Sequence, residues 1–265
     1  MSATVSDLRE VDAPPSFEAA RKAQQQILLT SDALRLYWTL EGPLSSAIRV
    51  MDDRHYDPNT PLAPYCDQTA PSPSWSPVSQ SPLTEPKISS VTVHVEQLDD
   101  WEELWLDIHR DHAEPGPHNE ASDFARFGPL PDYDPDSDEE GPEHLLRCCH
   151  QDRPRKTKVS LVVKAAGEFV TVHDYVSVVH PWLMSLRENI LQAAGDLEDC
   201  VLLPANTRLI VEYAYARPDI LYLYEEKEWQ DVRLKEGYLK SLEQIRAWKQ
   251  QKALQDQEAK NSRTL

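Results

Sequence analysis

The sequence predicts an α+β fold: a small mixed or antiparallel sheet of about four strands, covered by helices and interrupted by two long disordered insertions. Three observations point there. Residues 88–98, ISSVTVHVEQL, alternate Val91, Val93 and Val95 with polar neighbours, as a half-buried strand does. Residues 169–191, FVTVHDYVSVVHPWLMSLRENIL, repeat apolar side chains at helical spacing. Residues 53–87 and about 113–146 lose both periods and fill with proline or acid.

In chain order, residues 1–42 form an N-terminal helical segment. Ser16 caps a helix in which Phe17, Ala20, Ala23 and Ile27 recur on one face. Ser31 caps a second, with Leu34, Tyr37 and Trp38 apolar, ended by Gly42-Pro43. Residues 43–87 read as a disordered Pro/Ser-rich linker; its Ser-Pro steps at Ser72, Ser76 and Ser81 are candidate sites of proline-directed phosphorylation. Order returns over 88–112, where the valine strand leads into a helix started by Asp99 or Asp100 and striped with Trp101, Leu104, Trp105 and Ile108.

Residues 113–157 read as a second insertion, acidic and then basic. Seven acidic residues lie between Asp132 and Glu143, and like charges so dense keep a chain extended. Ser137, ahead of Asp138, Glu139 and Glu140, is a candidate for an acidophilic kinase. The basic cluster that follows, Arg147, Arg153, Arg155, Lys156 and Lys158, is short for a nuclear-import signal and also compensates the acid before it.

The core resumes over 158–227. VSLVVKA (159–165) is a strand, a helix spans about 172–194, and RLIVEYAYA (208–216) with ILYLY (220–224) makes a hairpin turned by Pro218-Asp219. Residues 228–265 form a C-terminal helix, with Tyr238, Leu242, Ile245 and Trp248 on one face, and a frayed tail.

The central helix carries the residues that most invite a chemical reading. Thr171 and Asp174 form a variant capping box, which gives Asp174 a structural role. On a helical wheel Tyr175, Val179, Trp182, Leu186 and Ile190 share one side, with His173, Ser177 and His180 opposite. His173 and His180 are about 10 Å apart along the axis, too far for one metal ion. Pro181 either kinks the helix or opens a second one. The structural role of these residues outweighs a catalytic one.

Two other groups are candidate metal ligands. His109 and His112 stand three apart at a helix end, with Asp107, Asp111 and His118 near; a polar helix terminus explains the same residues. Cys148-Cys149-His150 lacks a C-x-x-C partner, and Cys200 reads as a core residue. No phosphate loop, dinucleotide motif, nucleophile elbow or H-E-x-x-H occurs, so no cofactor is expected. Tyr213, Tyr215, Tyr222 and Tyr224 alternate on the hairpin, either as core pairs or, with Trp248, as an aromatic docking surface.

Composition narrows the class. With 45 acidic against 27 basic residues the formal charge is −18, which repels nucleic acid and suits docking to basic partners. No apolar run is long enough to span a membrane, and the first residues lack a secretory pattern. The four cysteines have no framework spacing, which fits reduced thiols in the cytoplasm or nucleus.

The stretch VSLVVKAAGEFVTVHDYVSVVHPWLMSLRENIL resembles an uncharacterised domain common in predicted fungal proteins, in which a strand precedes a V-T-V-x-D helix start and another strand follows. Val170, Thr171, Val172 and Asp174 match that start, and LPANTRLIVEY stands at the following strand. The resemblance covers about residues 155–225 and implies a fold and a fungal source, with no activity or cofactor attached. The expected function is that of a non-enzymatic intracellular interaction or regulatory protein with a protein partner. The alternatives are a metal-dependent hydrolase using His109, His112 and nearby carboxylates, and an accessory protein of a fungal pathway with no separable activity.

Overall fold

The computed structural model describes residues 13–69, 72–113, 125–131, 133–134, 143–155, 159–198 and 203–235. Helix α1 (Phe17–Lys22) starts as the sequence predicts: the Ser16 hydroxyl accepts the Ala19 amide at 3.1 Å, and Phe17 and Ala20 turn inward. It stops short of Ile27, because Gln24 takes a left-handed φ of 56° and the chain leaves as strand β1 (Leu28–Leu29).

The expected second helix is a strand. A single 3-10 turn at Ala33–Arg35 leads into β2 (Leu36–Trp38), all of it buried. Leu36 and Trp38 enter the main core, while Tyr37 joins a second cluster on the other side. Consecutive apolar residues buried on both faces suit an extended chain better than a one-sided helix.

Residues 43–87 are a correction to the expected linker, since nearly all of them are built into the fold. Helix α2 (Leu44–Ala47) and strands β3 (Ile48–Val50), β4 (Ala63–Pro64), β5 (Cys66–Asp67), β6 (Ser74–Trp75) and β7 (Thr84–Glu85) succeed one another. Strands β2, β3 and β4 form an antiparallel sheet, β5 pairs with β6, and β7 with β1. Tyr65 and Leu83 are fully buried. Prolines fall where no ladder bond is needed: Pro43 before α2, Pro64 in edge strand β4, Pro77 at the start of a 3-10 turn. Aspartates replace regular bonding in the loops, Asp57 accepting the Asn59 amide at 2.9 Å and Asp67 the Thr69 amide at 2.8 Å.

Ser81 belongs to this framework. Its hydroxyl donates to Asp32 at 2.5 Å, and its carbonyl accepts the Val172 amide at 2.9 Å. A charged group there faces the Asp32 carboxylate. Ser81→Glu is therefore expected to lower the unfolding free energy by about 2 kcal/mol, read from the urea midpoint.

Strand β8 (Ser90–Val95) buries Val91, Val93 and Val95, as the alternation predicts. Helix α3 (Glu96–Ala113) follows at once, ahead of Asp99, because the buried Gln97 amide bonds both polar atoms of the Leu223 backbone, at 2.6 and 3.3 Å. Three short strands come next: β9 (Arg126–Gly128), β10 (His144–Cys148) and β11 (Gln151–Asp152), ordered β11-β10-β9. Residues 125–131 and 143–155 of the second insertion are thus folded, while Asp132 and residues 135–142, Ser137 among them, lie outside the described residues.

Strand β12 (Ser160–Lys164), helix α4 (Val172–Glu198), and strands β13 (Leu209–Tyr213) and β14 (Ile220–Glu225) complete the core. The sheet order is β12-β8-β14-β13. β8 pairs antiparallel with β12 across the inserted α3 and β9–β11, β13 with β14 as a hairpin, and the inner strands β14 and β8 run parallel. This is a ββαββ unit with the connectivity of a β-grasp, and α4 packs on one face of its sheet. An isolated bridge between Thr39 and Ile210, with the Leu40 amide on the Leu209 carbonyl at 2.8 Å, attaches the N-terminal sheet to the β13 edge. Residues 226–235, helix α5, continue from β14 and set Trp229 against Tyr37, Met51 and Ile210 on the sheet's second face. Trp248 and the other apolar positions of the expected terminal stripe lie outside the described residues.

The capping box of α4 is present in both directions: the Thr171 amide donates to Asp174 and the Asp174 amide to Thr171, each at 3.0 Å. Tyr175, Val179, Leu183 and Ile190 are fully buried. The helix continues through Pro181, which sits on its exposed side.

Candidate functional site

The four hairpin tyrosines line one groove of about 940 Å³, shared with Leu34, Arg54, Glu96, Glu228, Trp229 and Arg233. They do not pair as simple strand alternation requires. Tyr222 and Tyr224 do share the sheet's second face, their rings 4.5 Å apart. Tyr213 instead turns to the α4 face, 7% exposed and 5.9 Å from the Tyr175 ring, and burial pushes its phenol pKa far up. Tyr215 lies beyond the strand, in a 3-10 turn spanning Ala214–Ala216.

That turn sets Tyr215 apart. Tyr215 and Ala216 have φ of 56° and 54°, a left-handed pair without glycine, which costs roughly 1–2 kcal/mol per residue. The bend holds the Tyr215 ring 78% exposed at the groove mouth, its hydroxyl 3.4 Å from Glu96. Below it, Glu212 accepts the Trp229 indole N–H at 2.8 Å and pairs with Arg233 at 2.5 Å, so that arginine's charge is met inside the groove. The groove lining also includes Glu228 and Arg54, both exposed.

A second group joins two motifs that the sequence keeps apart. His109, fully buried on α3 and 4.5 Å ring to ring from Trp105, meets Cys148 and Cys149. The imidazole and both thiols lie within 4.8 Å of one another. Asp111 and His112 continue α3 beyond it, their side chains outside the described residues, while Asp107 is on the exposed side.

The histidines of α4 separate, as their spacing requires. The His173 ring packs 4.5 Å from Trp75, with the Tyr65 hydroxyl 3.3 Å from its Nδ1. His180 is buried, accepting the Trp38 indole N–H on Nδ1 at 3.1 Å and donating from Nε2 to the Gly42 carbonyl at 2.9 Å. Those two bonds fix one neutral tautomer, and burial lowers the imidazole pKa. His180 is thus a strut between α4 and the N-terminal sheet. Among the phosphorylation candidates, Ser72 is exposed, Ser76 is half-buried ahead of a 3-10 turn, and Ser81 is tied to Asp32.

Sequence reasoning missed the convergence of His109 with the cysteines, and the reason is the turn between β10 and β11. Cys148 pairs with Gln151, so Cys149 and His150 are the whole loop, at φ 51° and 67°. Such a two-residue turn usually announces itself as Asn-Gly. No protein family, curated protein or solved structure matches the chain.

Proposed function

We propose that this chain is a non-enzymatic interaction protein whose docking surface is the tyrosine groove, and that its occupant is a basic, Lys/Arg-bearing segment of a protein partner. The observation that carries the reading is Tyr215, an aromatic ring 78% exposed on a backbone bend that costs conformational energy. An exposed tyrosine face attracts cations through its ring quadrupole. Glu96 meets the Tyr215 hydroxyl, Glu228 and Arg54 line the same groove, and the chain as a whole carries −18, which steers basic segments toward it. Among the described residues no helix is long and apolar enough to cross a membrane.

Labelled peptides bearing Lys and Arg, compared with matched peptides bearing Gln, test this by fluorescence anisotropy. The basic set is expected to bind preferentially and to weaken as salt rises. Tyr215→Ala is expected to weaken binding about tenfold while leaving the melting temperature unchanged, because the side chain is on the surface. Equal binding of the two sets, or indifference to Tyr215→Ala, contradicts the proposal.

A further inference from the structure

We propose that His109, Cys148 and Cys149 form a binding site for a thiophilic divalent metal ion of the zinc class. The spacing of the sulfurs is the first argument. Zinc–sulfur bonds of about 2.3 Å in a tetrahedron place two thiolates about 3.8 Å apart. The Cys148 and Cys149 sulfurs are 3.7 Å apart. Both cysteines are free thiols, and adjacent residues span about 3.8 Å between Cα atoms, less than an ordinary disulfide uses.

Adjacent residues on a strand point to opposite sides, which ordinarily bars them from one ligand. Here the left-handed Cys149 and His150 remove that bar, because the turn folds the Cys149 sulfur back toward its neighbour. Non-glycine residues held at positive φ are a recurrent feature of ligand clamps. The imidazole comes from a separate element, its atom within 4.8 Å of both thiols, so an approach of at most about 1 Å reaches tetrahedral contact.

The frame around the group is rigid where a ligand set needs it. Arg153, just past β11, meets Glu102 of α3 at 2.7 Å, with the two side chains only 13% and 12% exposed. The Arg153 amide also bonds the Leu146 carbonyl at 2.9 Å, locking the hairpin. Trp105, Leu145 and Cys148 form an apolar wall behind His109. Cys149 is exposed, so the group can be reached from solvent.

Two thiolates and a neutral imidazole carry a charge of −2, which a divalent ion cancels. Uptake forms two metal–sulfur bonds and one metal–nitrogen bond, and releases one proton from each thiol to the buffer, with no change of oxidation state. Soft sulfur donors select zinc over magnesium or calcium.

The test is a cobalt(II) titration of the full-length chain under a phosphine reductant. Thiolate-to-cobalt charge-transfer and tetrahedral d–d bands are expected to saturate at one equivalent and to vanish when zinc is added. Cys149→Ser is the informative variant, since its position is exposed and its melting temperature should not change. It is expected to weaken cobalt and zinc binding by more than the roughly 10–100-fold that loss of even an outer-shell partner costs. His109→Gln, confirmed as folded by circular dichroism, should remove the tetrahedral bands. Four outcomes overturn the proposal: no thiolate band; a band that survives Cys149→Ser; uptake of copper(I) alone; or a chain isolated with Cys148 and Cys149 joined as a vicinal disulfide.

Discussion

Replacing Tyr65 by alanine is expected to lower the unfolding free energy by about 3–5 kcal/mol, the range for deleting a buried aromatic ring. The size of the effect follows from where the ring sits. Tyr65 is fully buried, packed 5.5 Å from Trp75 and 6.3 Å from His173 of α4. Its phenol pKa is raised by burial, so it is also a polar group that the fold has enclosed. The surrounding backbone is fixed too, with the Tyr65 amide on the Ile48 carbonyl and the Tyr65 carbonyl accepting the Ser76 amide. Ser72→Ala, at an exposed position in the same proline-rich segment, should stay within about 0.5 kcal/mol of the parent. Urea denaturation of the three proteins with a common slope measures the difference. A Tyr65→Ala chain as stable as Ser72→Ala shows that residues 43–87 are not part of the core.

His180→Ala is the second large change, expected to cost about 3 kcal/mol at pH 7.5. It removes two hydrogen bonds, leaves the buried Trp38 indole N–H without its acceptor, and opens a void between α4 and β2. The same site makes stability depend on pH. Burial lowers the folded pKa of His180 below its ordinary 6.5, so the unfolded chain binds more protons in that interval. The contribution is therefore fully present above about pH 6.5 and is lost as pH falls through the folded pKa. Protonation at Nδ1 also destroys the acceptor that Trp38 uses. Melting curves from pH 7.5 to 5 should fall more steeply for the parent than for His180→Ala. Parallel curves contradict the assignment of His180 as a neutral strut.

The sheet was readable because each of its elements advertises itself locally. Val91, Val93 and Val95 alternate cleanly, Thr171 and Asp174 cap the helix between them, and the tyrosine strands meet across a turn. Residues 43–87 hide because their partners are distant. The Leu83 amide bonds the Val170 carbonyl, Pro82 bridges Thr171, and Tyr65 rests on α4, while the intervening prolines and aspartates look like linker. Residues 34–38 satisfy a helical and a strand pattern equally, and pairing of β2 with β3 and its bridge to β13 decide it. The tyrosine groove was half legible. The four tyrosines are evident as a group, but the left-handed bend that turns Tyr215 out while Tyr213 goes in has no glycine or asparagine to mark it. The thiol–imidazole group was visible only as separate halves, joined by packing between α3 and the β10–β11 hairpin.

The proposed docking of a basic partner segment at Tyr215 is tested by an NMR titration of the isotope-labelled chain with an Arg/Lys-bearing peptide. Shifts are expected to concentrate on the Tyr215 ring, the Ala216 amide, Glu96 and the exposed Glu228 and Val232 of α5, with the Val91 and Leu183 methyls of the core unmoved. Shifts confined to other surfaces, or a spectrum unchanged at saturating peptide, contradict it.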